Sequence, residues 1–271
     1  MGKNTTQNRI LINYFLLIFA LSIPFWILGF FATDTTKLLP INLPISALMA
    51  VCPLLVASML TYKKQKIKGV AALLKQSFDY EKIIDKNWYF PIVFLMPIVA
   101  LLSYWYVNFT EVLLPKPQLS FLAIILFFSV YFIGAIGEEI GWSGYIIKPL
   151  QNKYGALKAS IILGVIWAIW HIIPYHQAHQ NTNWIVWQCI GIVFLRIIMV
   201  WLFNNAGKSV FAMVFFHTML NISPYLIPNY GSHYDPFIFC VLLMLVVVFV
   251  VFLYDAKTLT KFRFTENILN L

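Results

Sequence analysis

The feature that most limits this chain is a succession of uninterrupted apolar runs. Each is about twenty residues long, enough to cross a hydrocarbon core as a helix. Water cannot be the main solvent for such segments. Aliphatic, aromatic and Cys residues make up 61% of the 271 residues and charged residues only 11%, against roughly 25% charged in a soluble domain. In a bilayer every backbone polar group must be satisfied within the protein, so spans are helices or a closed barrel. A barrel would alternate apolar and polar positions, and these runs are continuous. The sequence therefore predicts an all-α, polytopic integral membrane bundle with about eight transmembrane helices, forming a single membrane domain over residues 1–271.

The predicted spans are 9–32, 41–62, 88–110, 120–147, 158–175, 184–204, 208–228 and 235–254. Lys3 and Arg9 precede the first run as in a signal peptide, but the run is too long and no small-x-small cleavage site follows, so it is read as a span. Lys63, Lys64, Lys66, Lys68, Lys75, Lys82 and Lys86 follow the second span. Lys148, Lys153 and Lys158 lie between the fourth and fifth, Lys208 between the sixth and seventh, and Lys257, Lys261 and Arg263 after the last. The opposite loops hold only Lys37 and Lys116. Lys and Arg concentrate in cytoplasmic loops, so both termini are expected in the cytoplasm and the chain in the cell membrane, crossing it several times. The formal charge of +9 then reports topology and contact with anionic lipid headgroups, not nucleic acid. The segment 69–86 places Val70, Leu73, Leu74 and Phe78 near helical spacing among lysines. An interfacial helix and a solvated basic loop both fit it. Cys52, Cys189 and Cys240 lie inside apolar runs with no metal-like spacing and read as small buried hydrophobes.

Ionisable residues inside apolar segments are costly and usually functional. Here they are the pair Glu138 and Glu139, then His171, Arg196, and His217 with Asn221. Two adjacent buried carboxylates titrate as a coupled unit, the kind of group tuned for general base work. His217 and Asn221 stand four residues apart, on one helix face. Counted from Lys148, Lys158 and Lys208, Glu138, His171, His217 and Asn221 all lie roughly 14 to 20 Å along their helices. Four groups at one depth suggest a single polar cavity, expected to open to the cytoplasm. Arg196 has no partner in its own helix, and both pairing with a glutamate across the bundle and snorkelling to an interface fit it. His176, His179 and His233 fall in outer loops and are expected to face water. Gly141, Ser143 and Gly144 suit close helix approach.

The order of these elements resembles the CPBP family, also called Abi or type II CAAX protease-like proteins, with which the lysostaphin-resistance proteins are grouped. Its first motif, two glutamates, three residues and an arginine, is matched by Glu138-Glu139-Ile140-Gly141-Trp142-Ser143, with Ser143 in place of the arginine. The second, an aromatic three residues before a histidine, is matched by Trp167 and His171, where Phe is usual. The third, His and Asn with three residues between, is matched by His217 and Asn221. The resemblance covers residues 120–225. It implies an intramembrane endopeptidase acting on a peptide or membrane protein. Glu138 and His171 would activate a water, His217 and Asn221 would bind the oxyanion, and Glu139 would orient a neighbour. The family is often labelled metalloprotease, and Glu138, His171 and His217 form a ligand set found in zinc hydrolases. With no HExxH pair, a metal-free, glutamate-activated water is the favoured expectation. A non-enzymatic scaffold or bacteriocin self-immunity protein of the same fold is the alternative. A proton-relay transporter is disfavoured by the absence of an inverted repeat.

Overall fold

Seven of the apolar runs form helices long and apolar enough to cross a bilayer. In the computed structural model, residues 2–31, 44–110, 114, 121–226, 231 and 233–263 are described. Among them the elements are helical, apart from one isolated bridge between Tyr254 and Phe262. Lys37 and Lys116 lie outside the described residues. The long helices are α1 (Gly2–Phe31), α2 (Cys52–Lys75, entered through a 3-10 turn from Ile45), α3 (Tyr89–Phe109) and α4 (Phe121–Glu139). α4 passes through a widened, π-helical turn at Ile140–Ile146 into α5 (Ile147–Tyr154). α6 (Ala156–Gln177) and α7 (Thr182–Asn205) follow. α8 (Val210–Ile222) and α9 (Pro236–Leu253) complete the bundle.

The expected seventh span is corrected. α8 has only 13 residues, or about 20 Å of rise, against a hydrocarbon core of about 30 Å. Ser209 starts it by accepting from Ala212 N (3.1 Å), and a 3-10 turn, Ser223–Leu226, with Pro224 in it, ends it. Residues 227 and 228 of that span lie outside the described residues. The hydropathy of α8 reflects burial among other helices rather than contact with lipid: Ala212, Met213, Val214 and Phe216 are fully buried.

Several hydrogen bonds gather the lysine-bearing segments onto one face. Gln7 Nε2 donates to Pro149 O (2.6 Å), and Lys153 Nζ donates to Asn8 Oδ1. Ala156 N and Leu157 N donate to Lys257 O and Ala256 O (2.8 and 3.0 Å). Asn204 Nδ2 reaches Thr258 O at 2.8 Å. The start of α1, the α5–α6 corner, the end of α7 and the chain after α9 therefore share a face. The basic segment after α2 joins them through Asp79, whose Oδ1 accepts from Ser209 Oγ (2.8 Å) and Phe211 N (3.0 Å). That anion sits at the N-terminus of α8, where the helix dipole favours it. Of the predicted interfacial segment, only the part up to Lys75 is helix; short 3-10 turns at Gln76–Phe78 and Tyr80–Lys82 continue it.

Candidate active site

The site lies where α4 widens. A π-type turn adds a residue to the helical circuit and is common at functional positions. Here it begins directly after the glutamate pair. Gly141 permits it: a Cβ at this residue would stand 2.5 Å from Pro53 Cβ and 2.6 Å from the Pro53 carbonyl carbon, so α2 presses on bare backbone. On the other side, Gly164 lets α6 approach α7. A Cβ there would lie 2.9 Å from Val193 Cα and 3.2 Å from Arg196 Cβ. That approach carries Arg196 into the centre of the bundle.

The two glutamates are treated differently. Glu139 is fully buried, and both its oxygens are taken. Oε1 accepts from Arg196 Nη2 (3.2 Å) and His217 Nδ1 (3.0 Å). Oε2 accepts from Arg196 Nη1 (3.2 Å) and Ser143 Oγ. A carboxylate has about four lone-pair sites, and four donors fill them. Arg196, 1% exposed, thus pairs with a glutamate across the bundle; of the two roles open to it, snorkelling is ruled out. Its guanidinium meets Glu139 through two N–H donors, the geometry that suits Arg to buried carboxylates.

Glu138 keeps an oxygen open. Its Oε2 accepts from Trp167 Nε1 (2.8 Å) and Trp142 Nε1 (3.3 Å), and among the described residues no group donates to its Oε1. Trp142 is one turn ahead of Glu138 on its own helix, and Trp167 is one turn behind His171. The sequence reading gave neither indole a donor's role, although the four-residue spacings were there to suggest it.

The histidines have defined tautomers. His171 Nδ1 lies 2.8 Å from Trp167 O. A carbonyl only accepts, so Nδ1 carries the proton and, in the neutral ring, Nε2 is left as an acceptor. His217 Nδ1 faces the carboxylate of Glu139, so it too is protonated. Asn221 is half-buried, one turn beyond His217 on α8. The fold therefore joins Glu139 to His217 directly and Glu138 to the His171 turn through Trp167. No hydrogen bond joins Glu138 to His171, or Asn221 to any other of the five predicted site residues.

Toward the lysine-bearing face the site is floored by Trp142, Ile146, Met199, Phe203 and Met213, all buried. Toward the opposite face, one or two turns away, Tyr131, Tyr175, Gln188 and Tyr225 are half-buried. His176 and His179 are exposed at the far end of α6. His233 borders a separate cavity of about 350 Å³ that Trp184, Trp187 and Tyr234 also line. These three histidines do not enter the site.

Among the described residues no three His, Cys, Asp or Glu side chains come together as a metal-holding group. Glu139 engages the Nδ1 of His217, and the two indoles occupy one oxygen of Glu138.

Residues 120–223 match the family described as Type II CAAX prenyl endopeptidase Rce1-like. CAAX prenyl protease 2 of Methanococcus maripaludis is 27% identical over 232 residues, which cover 78% of this chain and 82% of that protein. The stretch carrying the glutamate pair and both histidine motifs is therefore similar to the Type II CAAX prenyl endopeptidase Rce1-like family, within a multi-pass membrane protein.

Proposed function

We propose that this chain hydrolyses a peptide bond within the cell membrane, using Glu138 as general base. At the level of the family the activity is that of an intramembrane endopeptidase. The observation that carries the finer reading is the division of labour between the glutamates. Glu139 is saturated by four donors and has no lone pair for a water. Glu138 is held by one oxygen and keeps the other. A water between that free oxygen and His171 Nε2 loses a proton to Glu138 and attacks the scissile carbonyl. The oxyanion is received by the His217 ring through Nε2–H and by the Asn221 amide. That donation needs a proton on each nitrogen of the His217 ring, because Nδ1–H is already given to Glu139. Protonated Glu138 then returns its proton to the leaving amine as the C–N bond breaks. Glu139, Arg196 and Ser143 position the donors and touch no substrate.

The substrate class is a peptide or membrane protein, and the lysine-bearing face suits anionic lipid headgroups rather than nucleic acid. The relative's name supplies the first probe: a farnesylated CAAX peptide, compared with the same peptide lacking the prenyl group. Glu138→Gln is expected to leave the protein folded in detergent and to lower cleavage by about 10²- to 10⁴-fold, the usual range for a general base. Cleavage at the parent rate would refute the assignment. A scaffold or immunity role instead predicts that Glu138→Gln keeps its full biological effect.

The same reading makes the reaction metal-free. Purified protein is expected to hold far less than one zinc per chain and to cleave equally well after exhaustive chelation. Stoichiometric zinc that disappears in His171→Ala would overturn it.

A further inference from the structure

Trp167 touches Glu138, Arg196, His171 and His217. Its indole Nε1–H donates to Glu138 Oε2 at 2.8 Å. Arg196 Cζ lies over its ring face, 4.1 Å from the centroid. The His217 ring meets it edge-on, with centroids 5.2 Å apart and planes at 83°. Its backbone carbonyl takes the proton of His171 Nδ1 at 2.8 Å. The side chain is 2% exposed and so cannot swing aside.

We propose that Trp167 is the positioning residue that aligns the two halves of the site, with its indole N–H fixing the Glu138 carboxylate against α6. The proposal rests on the endopeptidase reading above. Without that N–H, Glu138 Oε2 would keep only Trp142, at 3.3 Å. Trp142 belongs to the same continuous helix as Glu138, so its bond fixes the carboxylate against its own helix only. His171, the partner proposed to share the water, is on α6. Among the described residues, only the Trp167 bond ties the carboxylate to α6. Phenylalanine at this position keeps the ring face beneath Arg196 and the carbonyl that orients His171. It removes the N–H together with part of the indole ring.

The test uses the full chain in detergent. Trp167→Phe is expected to stay folded with a measurably lower melting temperature and to cut kcat on the farnesylated CAAX peptide by about 10- to 100-fold, the cost of a hydrogen bond to a charged group. KM should not change, because the lost interaction serves the reacting groups rather than binding. Trp142→Phe should cost less. Should Trp167→Phe fail to fold, benzothienylalanine introduced at the position removes the N–H with the ring outline intact. A melting cycle with Glu138→Ala reads the bond without any substrate. The two single substitutions break the same contact, so their shifts should be markedly non-additive. If the parent chain cleaves neither peptide, the endopeptidase reading fails while the cycle still reports on the bond. If the parent cleaves and Trp167→Phe matches its kcat, or if the melting shifts add, the positioning role is overturned.

Discussion

Arg196→Met is expected to abolish accumulation of folded protein. The substitution leaves Glu139 fully buried with its main counter-charge gone. Breaking one partner out of a buried ion pair costs roughly 3–5 kcal/mol, a large part of the 5–15 kcal/mol typical of a folded domain. His217 and Ser143 remain as donors, and neither is a permanent cation. The same substitution also bares one face of Trp167. The cause can be separated from simple loss of packing by moving the charge. Ser143 stands one turn beyond Glu139 and already donates to it. Ser143→Arg alone should be harmful, because it forces a second guanidinium into a sealed space beside Arg196. Combined with Arg196→Ser, it restores a cation to Glu139 from the next turn of its own helix. Detergent-solubilised yield and melting temperature should recover substantially in the double variant relative to Arg196→Ser. Recovery no better than in Arg196→Ser would show that Glu139 needs Arg196 for something other than its charge.

Gly141→Ala is the second substitution expected to act strongly, although it adds only one methyl group. That methyl would lie 2.6 Å from a backbone carbon of Pro53 and also against Tyr14 Oη, and a backbone atom of a packed helix cannot yield cheaply. Overpacking of this kind costs about 1–3 kcal/mol and sometimes more. Here the relief available is to move the π-helical turn, and with it Glu138 and Glu139. Both melting temperature and cleavage should fall. Gly144→Ala is the matched control, three residues away in the same turn. Its nearest neighbours, Gln76 Oε1, Leu73 Cδ1 and Val210 Cγ2, are each 3.6 Å distant, which is ordinary contact. It should melt at or above the parent temperature, since alanine is the better helix former. Equal losses in both variants would point to the helix backbone rather than to the contact with α2.

These contrasts show how much the amino-acid sequence discloses about a membrane protein of this kind. Apolar runs locate the long helices because the bilayer leaves few other ways to satisfy a backbone. Buried polar residues mark the site because each is costly. Glu138, Glu139, His171 and His217 were all legible for that reason. The partner of Arg196 was not. It depends on how α7 is rotated against α6, which is set by the bare surface at Gly164 and the side chains of α7. The length of α8 was hidden because a helix buried among protein side chains and one bathed in lipid have the same hydropathy. The packing of Trp142, Met199 and Phe203 around the glutamates was hidden for a related reason, since large apolar residues attract no notice in this composition. The different fates of the two glutamates follow from the rotation of about 100° between adjacent helical positions, which points Glu139 at α7 and α8 and Glu138 at α6.

The salt bridge between Arg196 and Glu139 bears on how distant kin are found. A guanidinium is required at a point in space, and more than one place in the chain can deliver it. Here it comes from a helix more than fifty residues downstream of the position where the first motif expects it. A search that insists on arginine at that motif would discard this chain as degenerate. A search that asks whether residues 143 and 196 exchange arginine as a pair would retain it.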